Sequence, residues 1–249
     1  MLTQERYQSI LSMVNDKGAV TVSELADMLG ISESTVRRDL TALDELGKLN
    51  KVFGGATALS QLEGVYEDTV SARENLMNEE KTEIARYAAS TINNADFVFI
   101  DAGTTTSRLI DFIDNAQATY VTNGIVHARK LIQKGLNAYM LGGKVKYATE
   151  AAVGTEAIAN LSNFNFSKAF MGTNGIDLKA GFTTPDVEEA RLKTAAVNHS
   201  YMAFILSDRT KFRRVFSVTF SQLKSCCIIT DSLPDGRYAK ETVIKEVMK

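Results

Sequence analysis

Phe97-Val-Phe-Ile-Asp-Ala-Gly-Thr-Thr-Thr-Ser-Arg-Leu-Ile-Asp-Phe112 is the stretch whose reading decides the fold. Four apolar residues run into Asp101, a glycine and a row of hydroxyls, and a helical pattern follows. Short apolar runs recur at Ala118–Val121, Ala138–Leu141, Lys168–Met171, Ala203–Leu206 and Cys226–Ile229. They lie 20 to 35 residues apart, with helix-like sequence between most of them. Continuous apolar runs alternating with helices predict βα units and a parallel sheet buried on both faces. In such sheets ligands bind at the C-terminal ends of the strands.

Those ends carry small polar residues: Asp101, Gly103, Thr104, Thr105 and Thr106; Thr122 and Asn123; Gly142, Gly143 and Lys144; Gly172, Thr173, Asn174 and Gly175; Asp208 and Lys211. A helix start offers free backbone N–H groups and the positive end of its dipole, which suit an anion. Lys144 or Lys211 could neutralise a phosphate, and the glycines let a ligand approach the backbone. The Gly-Thr-Thr-Thr string is not a Walker A loop, since no Gly-Lys-Ser/Thr is present. Hydroxyl residues at helix starts also serve simply as caps. Glu189 and Lys193 stand four apart on a helix, and spacing alone reads them as a surface ion pair.

Outward toward the N-terminus the pattern changes. Residues 1–56 form a helical unit ending in a strand-like segment. Tyr7, Ile10, Leu11 and Val14 mark one helix; Val22, Leu25, Ala26 and Leu29 a second, capped by Thr21 or Ser23; Val36, Leu40 and Leu43 a third, capped by Ser32. Lys48–Phe53 alternates like a strand and Gly54-Gly55 closes the unit. Two helices joined by the tight Gly30-Ile31-Ser32 turn make a helix-turn-helix. On a helical wheel Ser34, Arg38 and Thr41 face outward with Arg37 on the flank. These residue types suit phosphates and base edges, and Lys48 and Lys51 on the wing suit phosphates. The competing reading is a small bundle with a solvated arginine pair. Residues 57–75 are polar and form a linker with room for a short helix; residues 76–249 form the second domain.

The chain has 249 residues, with 28 Lys and Arg against 30 Asp and Glu, a net charge of −2. With 45% hydrophobic and 23% charged residues it is an ordinary globular composition, which excludes a polybasic coat, an acidic tail or a fibre. Residues 1–60 hold six basic and eight acidic residues, so DNA binding has to rest on placement rather than total charge. Two adjacent cysteines, Cys226 and Cys227, and two separated histidines predict neither disulfides nor a zinc site, and leave carboxylate metal sites open. The cysteines read as small hydrophobes on opposite faces of a strand, and His127 as a surface or cap residue of a helix. Lys146 and Tyr147 follow the Gly142-Gly143 turn and are placed to close over the pocket. With no signal peptide and no membrane span, a cytoplasmic protein without cofactor is expected.

The string Ile31-Ser-Glu-Ser-Thr35-Val-Arg-Arg-Asp-Leu40, preceded by Val22-Ser-Glu-Leu-Ala26 and followed by Gly47-Lys-Leu49 and Gly54-Gly-Ala56, resembles the winged helix-turn-helix of the DeoR family of bacterial transcription regulators. Lys51 stands where an Arg is common and Phe53 where a His is common; Lys51 keeps charge without the bidentate fork. The resemblance implies an α+β two-domain protein whose C-terminal α/β sensor is similar to ribose-5-phosphate isomerase and glucosamine-6-phosphate deaminase folds. It implies DNA contacts from Ser34, Thr35, Arg37, Arg38, Thr41, Lys48 and Lys51, and an effector pocket that includes Glu189 and Lys193. Gly172-Thr-Asn-Gly175, Ala180-Gly-Phe-Thr-Thr-Pro-Asp186, Glu189-Ala190 and Leu192-Lys193 resemble fructose-operon repressors. The implied protein is a sugar-operon repressor released from operator DNA by a phosphorylated sugar, fructose 1-phosphate first, tagatose or galactitol phosphate otherwise. A homodimer or homotetramer built through the sensor domains would match operator half-sites. The alternative is an isomerase, which needs a general base. Thr173 and Asn174 stand where isomerases carry acids, leaving Asp101 and Asp208 as candidates.

Overall fold

The computed structural model describes residues 3–58, 74, 76–114 and 117–248. The chain divides into two compact units, residues 1–61 and 62–249. Apart from Thr57, Ala58 and Glu74, the expected linker lies outside the described residues.

The first unit runs α1 (Thr3–Lys17), β1 (Ala19–Thr21), α2 (Val22–Leu29), α3 (Glu33–Glu45), β2 (Asn50–Val52) and β3 (Gly55–Thr57). Thr21 caps α2 in a reciprocal box: its hydroxyl accepts from Glu24 N–H at 3.2 Å, while Glu24 accepts from the Thr21 N–H at 2.8 Å. Gly30 ends α2 with a φ of 65°, a left-handed turn that glycine adopts without strain. Ile10, Val14, Leu25, Val36, Leu40 and Leu49 are fully buried in one core. The three strands pair antiparallel in the order β1-β3-β2. β1 is an addition to the expected elements: three residues between two helices carry too little pattern to read.

The second unit runs α4 (Asn78–Ser90), β4 (Phe97–Ile100), α5 (Thr104–Asp111), β5 (Thr119–Thr122), α6 (Ile125–Gln133), β6 (Asn137–Met140), β7 (Lys144–Lys146), β8 (Ala151–Val153), α7 (Thr155–Leu161), β9 (Phe166–Met171), β10 (Gly175–Asp177), β11 (Gly181–Thr184), α8 (Val187–Asn198), β12 (Ser200–Leu206), β13 (Val218–Ser221), β14 (Cys227–Thr230) and β15 (Ile244–Glu246). Seven strands form one sheet, ordered β15-β14-β12-β9-β4-β5-β6, and every pairing in it is parallel. All six apolar runs are strands of this sheet. Alternate residues feed two cores: Phe99, Val121, Ala169 and Ile205 pack with α7 and α8, and Val98, Ile100, Tyr120 and Phe170 pack with α4, α5 and α6. β15, the β7-β8 hairpin and the antiparallel β10-β11-β13 sheet extend the expected set. Their strands are only three or four residues long, too short to carry a legible period.

Cys226 lies just before β14 rather than in it; it is buried, and burial pushes its thiol up to about 11. Among the described residues no helix is long and apolar enough to cross a membrane.

From β4 the chain moves outward through β5 and β6, then returns to the other side of β4 as β9 and continues through β12 and β14. The order therefore reverses between β4 and β9. In an open parallel sheet this is where the loops part and leave a crevice beyond the strand ends.

Candidate functional site

The outward face of α3 is polar, as its wheel requires, because Val36, Leu40 and Leu43 are buried. Ser34, Arg37 and Arg38 are exposed and Thr35 and Thr41 half-buried. Ser32 gathers the first turn, its hydroxyl within 2.9 Å of both Ser34 and Thr35 hydroxyls. Arg37 pairs with Glu33 at 2.6 Å on the surface, a contact that solvent makes weak. Lys51 donates from Nζ to the Thr41 hydroxyl at 2.7 Å, and its backbone N–H donates to Asp44 Oδ1 at 3.0 Å. The wing is thus tethered to α3. Lys48 is exposed.

The motif residue Asp39 does something different from its neighbours. It is buried, and it accepts from both Nε and Nη2 of Arg6 on α1, at 2.5 and 3.0 Å. Arg6 is therefore committed to holding α1 against α3. No spacing rule links residues 33 apart, so the sequence carries no sign of it.

In the second unit a cleft of about 280 Å³ opens at the reversal point of the sheet. Of the expected effector residues, Asp101, Gly103, Thr104, Thr105, Asn123, Gly172, Thr173, Asn174, Glu189, Lys193, Asp208 and Lys211 line it. Asp101, at the end of β4, accepts from the Gly172 N–H at the end of β9 at 3.1 Å and from the Lys193 ammonium, which also donates to Gly172 C=O at 3.0 Å. Asn123 Oδ1 accepts from Ala102 N–H at 3.1 Å, fixing the loop before α5. The first-turn N–H groups of α5, at Thr104 and Thr105, have no intrahelical acceptor and border the cleft.

The remaining expected residues lie outside this lining. Thr106 is fully buried; its hydroxyl donates to Asp101 C=O at 2.5 Å and accepts from Gly103 N–H at 2.9 Å, which shapes the loop. Thr122 accepts from Gly124 N–H at 3.1 Å within its turn. Gly142 donates to Asn160 at 3.0 Å, and a side chain at Gly143 would meet Val153 C=O at 2.8 Å. Gly175 packs against Arg214, whose carbonyl oxygen would lie 2.3 Å from an added Cβ. Lys144 pairs with Glu188 at 3.0 Å on the surface. Gly143 and Gly175 serve close backbone packing.

Three further expectations are corrected. Glu189 and Lys193 form no surface pair with each other: both are buried. Glu189 accepts from Lys146 at 3.0 Å and Thr149 at 2.9 Å, whereas Lys193 reaches Asp101. Spacing cannot say which face of α8 is buried, and this face borders the cleft. His127 is buried in α6, with Nε2 3.0 Å from Gly103 C=O and 3.2 Å from the Thr106 hydroxyl. Burial drives its pKa down to about 4, so the ring is neutral at pH 7. Lys146 is drawn to Asp186 and Glu189, while Tyr147 is exposed on a neighbouring cleft.

The cleft also contains residues the sequence reading missed, chiefly Lys81, Thr149, Ser207, Thr210 and Arg214. Lys81 had a signal: with Ile84, Ala85 and Ala88 it shares the buried stripe of α4. Arg214 had none, since its position depends on the antiparallel sheet. Four cations, Lys81, Lys193, Lys211 and Arg214, stand among three acids, Asp101, Glu189 and Asp208. This balance suits an anion that also carries hydroxyl groups. Proton abstraction fits less well. Asp101 is bound to Lys193, and Asp208 caps the turn at 209–211, accepting from Thr210 N–H at 3.0 Å. The Thr173 hydroxyl donates to Gly175 C=O at 2.9 Å, and Asn174 accepts from Thr184 at 3.0 Å.

A helix-turn-helix unit joined to a parallel-sheet unit with a polar cleft defines a DNA-binding regulator carrying a sensor domain. Residues 6–62 match the DeoR-like helix-turn-helix domain and residues 76–232 the DeoR C-terminal sensor domain. The chain belongs to the DeoR family of transcriptional regulators, a family of DNA-binding proteins rather than enzymes. It is 39% identical to the uncharacterized HTH-type transcriptional regulator FruR of Bacillus subtilis (strain 168), over 99% of both chains. It is 34% identical to the HTH-type transcriptional regulator IolR of the same organism, over 96% of this chain and 94% of that one. The lactose phosphotransferase system repressor of Staphylococcus aureus (strain N315) is 32% identical over 94% of both. Ribose 5-phosphate isomerase A from Methanocaldococcus jannaschii superposes on 53% of the chain, and on 53% of its own, with a TM-score of 0.40 and 11% identity.

Proposed function

We propose that this protein represses a sugar-utilisation operon and leaves its operator when a phosphorylated sugar, fructose 1-phosphate, occupies the cleft between β4 and β9. The observation that carries this reading is the composition of that cleft. The start of α5 and four cations offer a phosphate its partners, and Asp101, Asn123 and Glu189 offer acceptors and donors for sugar hydroxyls. A cleft of about 280 Å³ is close to the lower end of small-ligand pockets, in keeping with one hexose phosphate. The likeness to a regulator named FruR supports fructose 1-phosphate. The likeness to lactose phosphotransferase system repressors supports a second reading, in which the effector is a phosphorylated sugar other than fructose 1-phosphate; tagatose and galactitol phosphates are the candidates.

The mechanism is linkage: a ligand that binds the released arrangement better than the operator-bound one shifts the population by its differential affinity. Two or more copies, joined through their sensor domains in the cytoplasm, present paired α3 helices to operator half-sites. Calorimetry with fructose 1-phosphate, fructose 6-phosphate, galactitol 6-phosphate and inorganic phosphate tests the effector. Tightest binding of fructose 1-phosphate is expected; equal binding of all four would sink the assignment.

A further inference from the structure

Phe53 stands at the tip of the wing, wholly exposed. β2 and β3 pair with Val52 opposite Gly55, so Phe53 and Gly54 are the two residues of a tight hairpin turn. The tip is held rigidly. Gly54 C=O accepts from Val22 N–H at 2.8 Å, and a side chain on Gly55 would meet Val20 C=O at 2.1 Å. Behind the tip, Lys51 bonds to Thr41 on the outward face of α3. An aromatic ring is thus projected into solvent from a fixed scaffold, beside the surface that carries Arg37 and Arg38.

We propose that Phe53 is an apolar wedge that enters the DNA minor groove next to the segment read by α3. Charge and shape both point there. Val52, Phe53, Gly54 and Gly55 carry no charge, so the tip is no phosphate clamp; Lys48 and Lys51 precede it and meet the backbone ridge. Beside a helix in the major groove, the next groove across that ridge is the minor one. It is only about 6 Å wide. A two-residue turn that contains one glycine and is followed by another is slim enough to enter it, and apolar side chains inserted there part base steps. The inference rests on α3 being the reading helix and is independent of the effector.

The test uses the full chain and the DNA upstream of its own gene, footprinted with the wild type and labelled with 2-aminopurine at successive steps beside each protected half-site. Phe53→Ala is expected to weaken specific binding roughly tenfold, from lost stacking. It should also abolish the wild-type rise in 2-aminopurine fluorescence, and leave the salt slope unchanged because no counterion is involved. Phe53→Tyr should restore both affinity and fluorescence, while Lys48→Ala should lower the salt slope. Wild-type affinity and fluorescence in Phe53→Ala would overturn the proposal. So would a loss of binding that accompanies a change in oligomeric mass, which would make the tip a contact between copies. Arg38→Ala serves as the control: if it binds as the wild type does, the assignment of α3 fails separately.

Discussion

His127 and Asp39 show how much a single side chain can be asked to do away from the ligand. Neutral His127 braces the loop before α5 from behind, and its folded pKa of about 4 lies below the ordinary 6.5. A depressed histidine contributes stability that is complete above pH 6.5 and is lost as pH falls toward 4, because the unfolded chain takes up the proton first. Between pH 7 and 5 wild type should lose about 2 kcal/mol more unfolding free energy than His127→Gln, measured by urea unfolding and circular dichroism. Asp96 and Asp235 contribute outside this window. Against the cost of burial, Lys168 and the Asn93 N–H hold Asp96 low, and Arg237 does the same for Asp235, at about 2. Both lose their contribution only below about pH 4. Asp39→Ala leaves the Arg6 guanidinium largely buried and without its carboxylate. It should destabilise the first unit, seen as a lower melting temperature. Arg6→Met combined with Asp39→Leu should recover most of that loss; a double variant as unstable as Asp39→Ala would refute the pairing.

At the scale of the element, α3 and the wing behave as one device. The Thr41–Lys51 bond and the Asp44 contact to the wing backbone join them. The exposed arginines of α3 are not needed for folding. Arg37→Ala or Arg38→Ala should therefore weaken operator binding about tenfold in gel shifts at matched salt, with melting temperature and effector affinity unchanged. If both variants bound operator as wild type does, the reading face of α3 would be wrong. Six of the seven strands of the large sheet were readable because each spells a short apolar run, as strands covered by helices do. β1, β7, β8 and β15 were not readable, because three-residue strands are specified by their partners. On α8 the spacing of Glu189 and Lys193 was legible, and their burial against Thr149 and Asp101 was not.

Across the whole molecule, two sites on one chain imply a coupling free energy that is equal in both directions. If the effector lowers operator affinity by some factor, saturating operator should lower effector affinity by the same factor. Parallel titrations, effector into protein with and without operator and operator into protein with and without effector, check this. A factor of one in both titrations would refute the linkage mechanism even if both ligands bind, since equality of the two factors is required of any two sites at equilibrium. The near-neutral net charge belongs to the same scale. With −2 over the chain, non-specific DNA affinity is expected to be modest, with specificity resting on a few placed groups.

Periodicity, caps and glycine turns by themselves determined the two-unit organisation, the helix-turn-helix, the parallel sheet and the strand-end loops where a ligand would sit. These are local properties: burial of one face writes a period into the sequence, and a turn demands particular residues. Only the tertiary structure decided which polar residues meet. Lys81 and Arg214 enter the cleft, Lys144 and Thr106 stay out, Lys193 turns to Asp101, and Arg6 is spent on Asp39. Contacts between residues tens of positions apart leave no period, since they depend on how whole elements are packed.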